Sequence, residues 1–250
     1  MHPLKGIAVA ALAAALVAGC GDGDAYLRSL PGAAATPAAS SPSGNSRTTA
    51  TPTGMRAVVS HKITVYQKPN GSPKLTLKPV TLMGSHTVLL VRKVIEGGDW
   101  IMVDLAMRPN GSQGYVRGSD VTLQQVFDSI TVDLSARTIT ISLQGGKSVT
   151  APVAIGSSRY RTPIGHFYVT DAIQPTNAGG EFGTFVLGTS AYSPTLTEFL
   201  GGPGQVGIHG TNNPASIGHA VSHGCIRVPE DIDRNVLPWV HLGTPVTIVD

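Results

Sequence analysis

From about Gly54 onward, short β-rich runs alternate with Gly, Asn and Pro turns, and this punctuation commits the chain to strands. HKITVYQ, KLTLKPVTLM, TVLLVRKVIE, WIMVDLAM and QGYVRGSDV are separated by PNGS, GSH, GGD and RPNGS. Strands at this spacing with Gly/Asn turns predict a small barrel over residues 55–123. A second unit, residues 127–250, opens with SITVDL and TITISL, a hairpin joined through Ser135-Ala136-Arg137. Further strands are read in HFYVT and in the closing TPVTIVD. The best helix signal is Pro229-Glu230-Asp231, a proline at the first helical position followed by acids. The expected fold is mainly β. Composition agrees: 30 Gly, 18 Pro and only 13% charged residues suit turn-rich sheets better than a helical bundle.

The start of the chain has a different character. MHPLKGIAVAALAAALVAGC places a lysine before an apolar run from Gly6 to Val17, too short to span a bilayer, so residues 1–19 read as a secretory signal. The tetrapeptide Val17-Ala18-Gly19-Cys20 resembles a bacterial lipobox, which implies cleavage before Cys20 and lipidation of that residue, a membrane anchor. The alternative is an ordinary signal peptide ending near a chance cysteine. Residues 20–54 read as a flexible tether, because between Pro31 and Gly54 only Asn45 and Arg47 fall outside Pro, Gly, Ala, Ser and Thr. Such a tether spans roughly 30 Å. A net charge of +3 without any Lys/Arg cluster gives no footprint for nucleic acid.

The chemistry is concentrated in IHGTNNPASIGHAVSHGCIRV, Ile208 to Val228. Besides Cys20, the chain holds one cysteine, Cys225, and this segment sets it near His209, His219 and His223. A free thiol is only slightly ionised near neutral pH, so it needs a neighbouring base, and histidine suits that role best. Amides around Gly224 could supply an oxyanion hole, since glycine permits turns that aim N–H groups at a ligand. Other readings compete: a zinc site, a structural cysteine beside surface histidines, and His219 as a plain loop residue. HAVSH lacks the glutamate of a metalloprotease helix, and no second cysteine completes a familiar zinc pattern, so neither metal nor cofactor is expected.

His209-Gly210-Thr211 and Ser222-His223-Gly224-Cys225-Ile226-Arg227 together resemble the signature of L,D-transpeptidases of the YkuD type. The likeness continues through Pro152–Gly156 and Thr162–Phe167 and covers the second unit. It implies a β-rich catalytic domain with Cys225 as nucleophile, His209 as base and the Gly210 carbonyl orienting the imidazole. His223, Gly224 and Cys225 would lend their amides to the oxyanion, while Ser222 and Arg227 would meet substrate. Family members carrying HST place a serine where this chain has Gly210, which puts a serine-dependent triad in doubt. The implied partners are peptidoglycan stem peptides and carbapenem-type inhibitors. The implied reaction is a 3→3 cross-link made through a thioester with release of D-alanine. Separately, GGDWIMVDL with RPNGSQGYVRGSDV resembles bacterial SH3-like domains.

Two alternatives belong to other classes. A cell-wall peptidase of the NlpC/P60 kind also joins Cys/His chemistry to SH3-like domains, but places its cysteine before its histidine, the reverse of this chain. A wall-binding lipoprotein with a decayed catalytic domain would not be expected to keep His209, His223, Gly224 and Cys225 together. The acyl acceptor stays open: another stem, a free D-amino acid, an outer protein or water.

Overall fold

A computed structural model describes residues 51–198 and 202–250. The signal segment, Cys20 and the tether up to residue 50 lie outside the described residues. Alternation of buried and exposed positions builds the first sheet from β1 (Gly54–Val58), β2 (Ile63–Tyr66), β3 (Pro73–Leu77), β4 (Val88–Ile95), β5 (Trp100–Asp104), β6 (Gln113–Arg117) and β7 (Thr122–Val126). Their order is β3-β2-β6-β5-β4-β1-β7, every neighbour antiparallel. Ile63 and Val65, Ile101 and Val103, and Val116 turn inward from successive strands and form one apolar core. Trp100 is buried at the rim of this sheet, edge-on to Tyr66 at 5.2 Å and covered by the Arg117 guanidinium at 4.9 Å.

The first sheet runs past the expected boundary at Leu123. β7 continues to Val126 and pairs along the whole of β1, from Gly54↔Val126 to Val58↔Thr122. The chain therefore passes from one sheet to the next with almost no linker.

The second sheet is built from β8 (Ser129–Asp133), β9 (Thr138–Ser142), β10 (Ser148–Pro152), β12 (Gly165–Ile173), β13 (Val186–Tyr192), β14 (Gln205–His209), β16 (Ile226–Arg227) and β17 (Pro245–Val249). Between these in sequence, β11 (Ile155–Gly156) and β15 (Ala220–Ser222) pair in parallel as a separate ribbon. The eight strands run β10-β9-β8-β17-β12-β13-β14-β16. The hairpin expected at Ser135-Ala136-Arg137 is present, with Arg137 at φ 52 and the Ala136 N–H held by the Asp133 carboxylate. The helix α1 (Glu230–Asn235) begins one residue later than its sequence signal, so Pro229 occupies the cap instead of the first turn. Ile232, Val236 and Leu237 pin this segment to the core formed by Ile130, Val132, Val246 and Ile248.

The two sheets have separate cores but belong to one compact body. The contacts between them are polar and specific. Tyr168, fully buried on β12, donates its hydroxyl to the Asp104 carbonyl, and Tyr192 donates to Ala106. Arg108 donates to the carbonyls of Ser193, Leu196 and Pro203, while Asn110 exchanges two hydrogen bonds with the Tyr192 backbone. Thr81 and Ser85 reach Asp171 and the Ala172 amide at the far end of β12.

Candidate active site

The two halves of the histidine-cysteine segment meet because β14 and β16 pair in parallel, Ile208 with Ile226 and His209 with Arg227. His209 thus ends one strand while Cys225 stands just before the next. The His209 ring is 3% exposed, and its Nδ1 lies 2.6 Å from the Gly210 carbonyl. A carbonyl only accepts, so Nδ1 carries the hydrogen and Nε2 is the nitrogen able to take a proton. Phe182 packs against the imidazole at 5.0 Å, inclined by 62°. Burial pushes the His209 pKa down to about 4, against the pull of the Gly210 carbonyl. The Arg227 charge lowers it further and the Asp233 charge raises it.

Cys225 is half-buried, and its Sγ accepts the Gly207 N–H at 3.4 Å. Burial pushes the thiol up, while the Gly207 amide and the Arg227 charge favour the thiolate. Both shifts favour an uncharged resting pair. An uncharged thiol beside an uncharged imidazole is an arrangement suited to general-base chemistry and not a stored ion pair.

The turn before Cys225 is held from two sides. Gly224 has φ 115°, where a side chain would be strained. Its N–H donates to Ser222 Oγ at 3.0 Å, and its carbonyl accepts from Thr162 Oγ1 at 2.9 Å. Ser222, 1% exposed, donates in turn to the Cys225 carbonyl at 2.6 Å. The Ser222 hydroxyl thus donates and accepts within the turn, and the residue, expected to meet substrate, also lines the small cavity at Cys225. The Gly224 amide, expected among the oxyanion donors, is taken by Ser222. The Cys225 amide has no acceptor among the described residues and is the donor left beside the sulfur.

The remaining expected residues fall in different places. Arg227 is half-buried; its backbone pairs with Ala154, and its Nε is buried without an acceptor. It lines a small cavity of about 90 Å³ with His209, His223 and Cys225. His223 is exposed, its ring 5.0 Å from that of Tyr160. His219 is exposed in a turn, its carbonyl accepting the Ile155 amide, and it lines neither cavity that reaches Cys225. Among the described residues no three His, Cys, Asp or Glu side chains are grouped to share a metal ion.

A larger cleft, about 370 Å³, opens on the other side of the thiol. Its floor is one face of three neighbouring strands: Asp171 and Ile173 from β12, Val186 and Gly188 from β13, Gln205 and Gly207 from β14. Met83, from the first sheet's unit, stands on its wall.

Sequence reasoning did not single out Asp233. This buried carboxylate accepts from the Thr184 amide and hydroxyl at 2.6 and 2.7 Å, and from the Phe185 amide at 3.0 Å. A Cβ added to either Gly183 or Gly210 would collide with its Oδ2. The carboxylate thereby ties the backbone that orients His209 to the segment carrying Phe182. The glycine at position 210 is the one sequence signal that points to it.

The geometry brings together a thiol, a histidine with a fixed tautomer and a cleft that reaches both. The family model of the YkuD L,D-transpeptidase catalytic domain matches residues 128–248. The Bacillus subtilis (strain 168) protein named for an L,D-transpeptidase, YkuD, is 35% identical over 150 residues, which are 58% of this chain and 83% of that protein. Its namesake in Bacillus licheniformis is 38% identical over 122 residues, 48% of this chain and 64% of the relative. A crystal structure of an L,D-transpeptidase from Mycobacterium tuberculosis H37Rv aligns with 66% of this chain and 91% of its own, at 14% identity and a TM-score of 0.43.

Proposed function

The chain belongs to the L,D-transpeptidase family of YkuD, and on that premise we propose that Cys225 and His209 perform a two-step acyl transfer on peptidoglycan stem peptides. In the first step Sγ attacks the carbonyl of the third residue of a tetrapeptide stem as its proton passes to His209 Nε2. The S–C bond forms, the C–N bond to terminal D-alanine breaks, and the imidazolium returns the proton to the departing amine. In the second step the side-chain amine of a diamino acid in a neighbouring stem attacks the thioester. It gives a proton to His209, the C–S bond breaks, and the thiolate is reprotonated. The product is a 3→3 cross-link. One amide replaces another, so the balance requires no redox partner and no metal.

The observation that carries this reading is the hydrogen bond from His209 Nδ1 to the Gly210 carbonyl, which makes Nε2 the proton acceptor in the cavity shared with Cys225. The Cys225 amide is the proposed oxyanion donor, and such donors typically contribute ~10²–10³-fold to rate. Arg227, with its unmatched Nε, is the proposed partner of a stem carboxylate. Mass spectrometry of muropeptides incubated with the protein tests the whole reading. Cross-linked dimers with loss of D-alanine support it; products lacking both, from folded protein, would refute it.

The same thiol is proposed to be trapped by carbapenems, whose strained lactam carbonyl takes the place of the stem carbonyl. Intact-mass analysis should show one adduct, located at Cys225. A full-yield adduct on Cys225→Ser protein would remove the nucleophile assignment. The unit over residues 55–123 is proposed to be SH3-like and to position the enzyme without performing the chemistry. Residues 1–19 and Cys20 are proposed to lead to a lipid-anchored protein facing the cell wall.

A further inference from the structure

In the floor of the main cleft, Asp171 on β12 pairs with Gly188 on β13, and Gly188 pairs with Gly207 on β14. The Gly207 amide then donates to Cys225 Sγ at 3.4 Å. A buried carboxylate and the thiol therefore stand at the two ends of one cross-strand row, with two glycines between them. The gap carries no side chain. A Cβ on Gly207 would make only ordinary van der Waals contacts, the nearest 3.5 Å from the Leu187 carbonyl. A Cβ on Gly188 would lie 3.1 Å from Asp171 Oδ2, so the carboxylate leans along the trough toward the thiol.

Asp171 is 3% exposed. Its Oδ1 accepts the Thr81 hydroxyl at 2.5 Å, and Oδ2 has no hydrogen-bond donor among the described residues. No Lys, Arg or His among those residues forms an ion pair with it. The residue lines the cleft, and an acceptor-only carboxylate placed there suits a donor with positive charge.

We infer that Asp171 is a subsite for a primary ammonium, the side-chain amine of the diamino acid whose carbonyl Cys225 attacks. This rests on the acyl-transfer reading above. Two strand spacings, about 10 Å, separate the β12 and β14 ends of the row. A six-bond path from carbonyl carbon to side-chain nitrogen extends roughly 7 Å, and an ammonium–carboxylate hydrogen bond adds about 3 Å. The acceptor amine cannot be the group held there, because its nitrogen must reach the thioester at the opposite end. Asp171 therefore reads the donor, and it also keeps the donor's own amine away from the thioester. Thr81 belongs to the first sheet's unit, so that unit helps to set specificity through the hydroxyl it places on Oδ1.

The test uses the full-length protein in detergent and two synthetic tetrapeptide stems. One carries a free side-chain amine on its third residue, and the other has that amine acetylated. Acyl-enzyme formation is followed by intact mass at short times, before acceptor chemistry begins. The wild-type protein should prefer the free amine by about 10–100-fold in the apparent second-order rate, the range for hydrogen bonds to charged groups. The difference should lie in the half-saturating concentration and not in the limiting rate. Asp171→Asn should erase the preference, the two peptides then acylating the folded variant at equal rates. Equal rates for the two peptides with wild-type protein overturn the subsite, and this comparison requires no variant to fold. Retained preference in folded Asp171→Asn overturns it as well. If neither peptide nor lactam acylates the wild-type protein, the failure lies instead with the Cys225 reading.

Discussion

The carboxylate of Asp233 occupies the space that any side chain at position 210 would need, so the glycine that orients His209 and the acid of α1 fit only as a pair. Gly210→Ser, the residue of the HST pattern, should therefore displace either the carboxylate or the His209 backbone. Acylation by a carbapenem should slow by at least tenfold. Asp233→Ala alone strands three donors on Thr184 and Phe185 and should cost about 2–4 kcal/mol in denaturant unfolding. The double variant should acylate faster than Gly210→Ser alone, because the carboxylate clash is gone and only the 2.9 Å approach to the Gly183 Cα remains. Strict additivity of the two rate effects would argue against this coupling.

The depressed His209 pKa fixes an unusual pH profile. The base is neutral down to about pH 4, so acylation should show no inflection near 6.5, where an unperturbed histidine switches off. Stability follows the same shift. Between pH 6.5 and about 4 the unfolded chain gains a proton that the folded chain refuses, so this residue makes stability fall as pH drops through that window and level off below it. Stopped-flow acylation and urea unfolding across pH 4–8 measure both. A half-maximal rate near 6.5 would mean that His209 is solvated in the working enzyme.

Thr162 is the latch on the catalytic turn. Thr162→Val keeps the shape but leaves the Gly224 carbonyl and the Gly156 amide without their shared hydroxyl. Stability should fall by about 1–3 kcal/mol, and lactam acylation should fall more than tenfold as the Cys225 amide loses its aim. Thr162→Ser should restore most of both. An acylation rate unchanged in folded Thr162→Val would show that the turn holds its geometry unaided.

Lipidation is tested separately from catalysis. Cells expressing the full chain and fed a clickable fatty acid should label the wild-type protein and not Cys20→Ala. Label retained by the variant would place the lipid elsewhere, and no label on either would remove the anchor.

Sequence patterning exposed β2 to β6, through alternation in β2 and β6, as in Ile63 and Val65, and through β-rich runs bounded by turn residues in the others. It did not expose β1 and β7. In β7 only Val126 is buried, so that strand exists through its backbone pairing with β1 and carries almost no apolar signature. The site divides in a similar way. Cys225 and His209 stand out because a lone thiol beside histidines is rare chemistry in a short segment. Asp171 and Asp233 do not, because each acquires its setting from distant partners, Thr81 on the first unit and Thr184 across the sheet. Nothing local to TDAI or EDID distinguishes a cleft carboxylate from a surface one.

Peroxide and disulfide exchange both require a thiolate, and oxidation of cysteine proceeds only as fast as that form is populated. By raising the Cys225 pKa, burial keeps the group in its thiol form and so also slows its oxidation. The enzyme can then wait without a reductant, and sulfenic-acid trapping should mark Cys225 more slowly than a solvent-exposed thiol under the same peroxide dose.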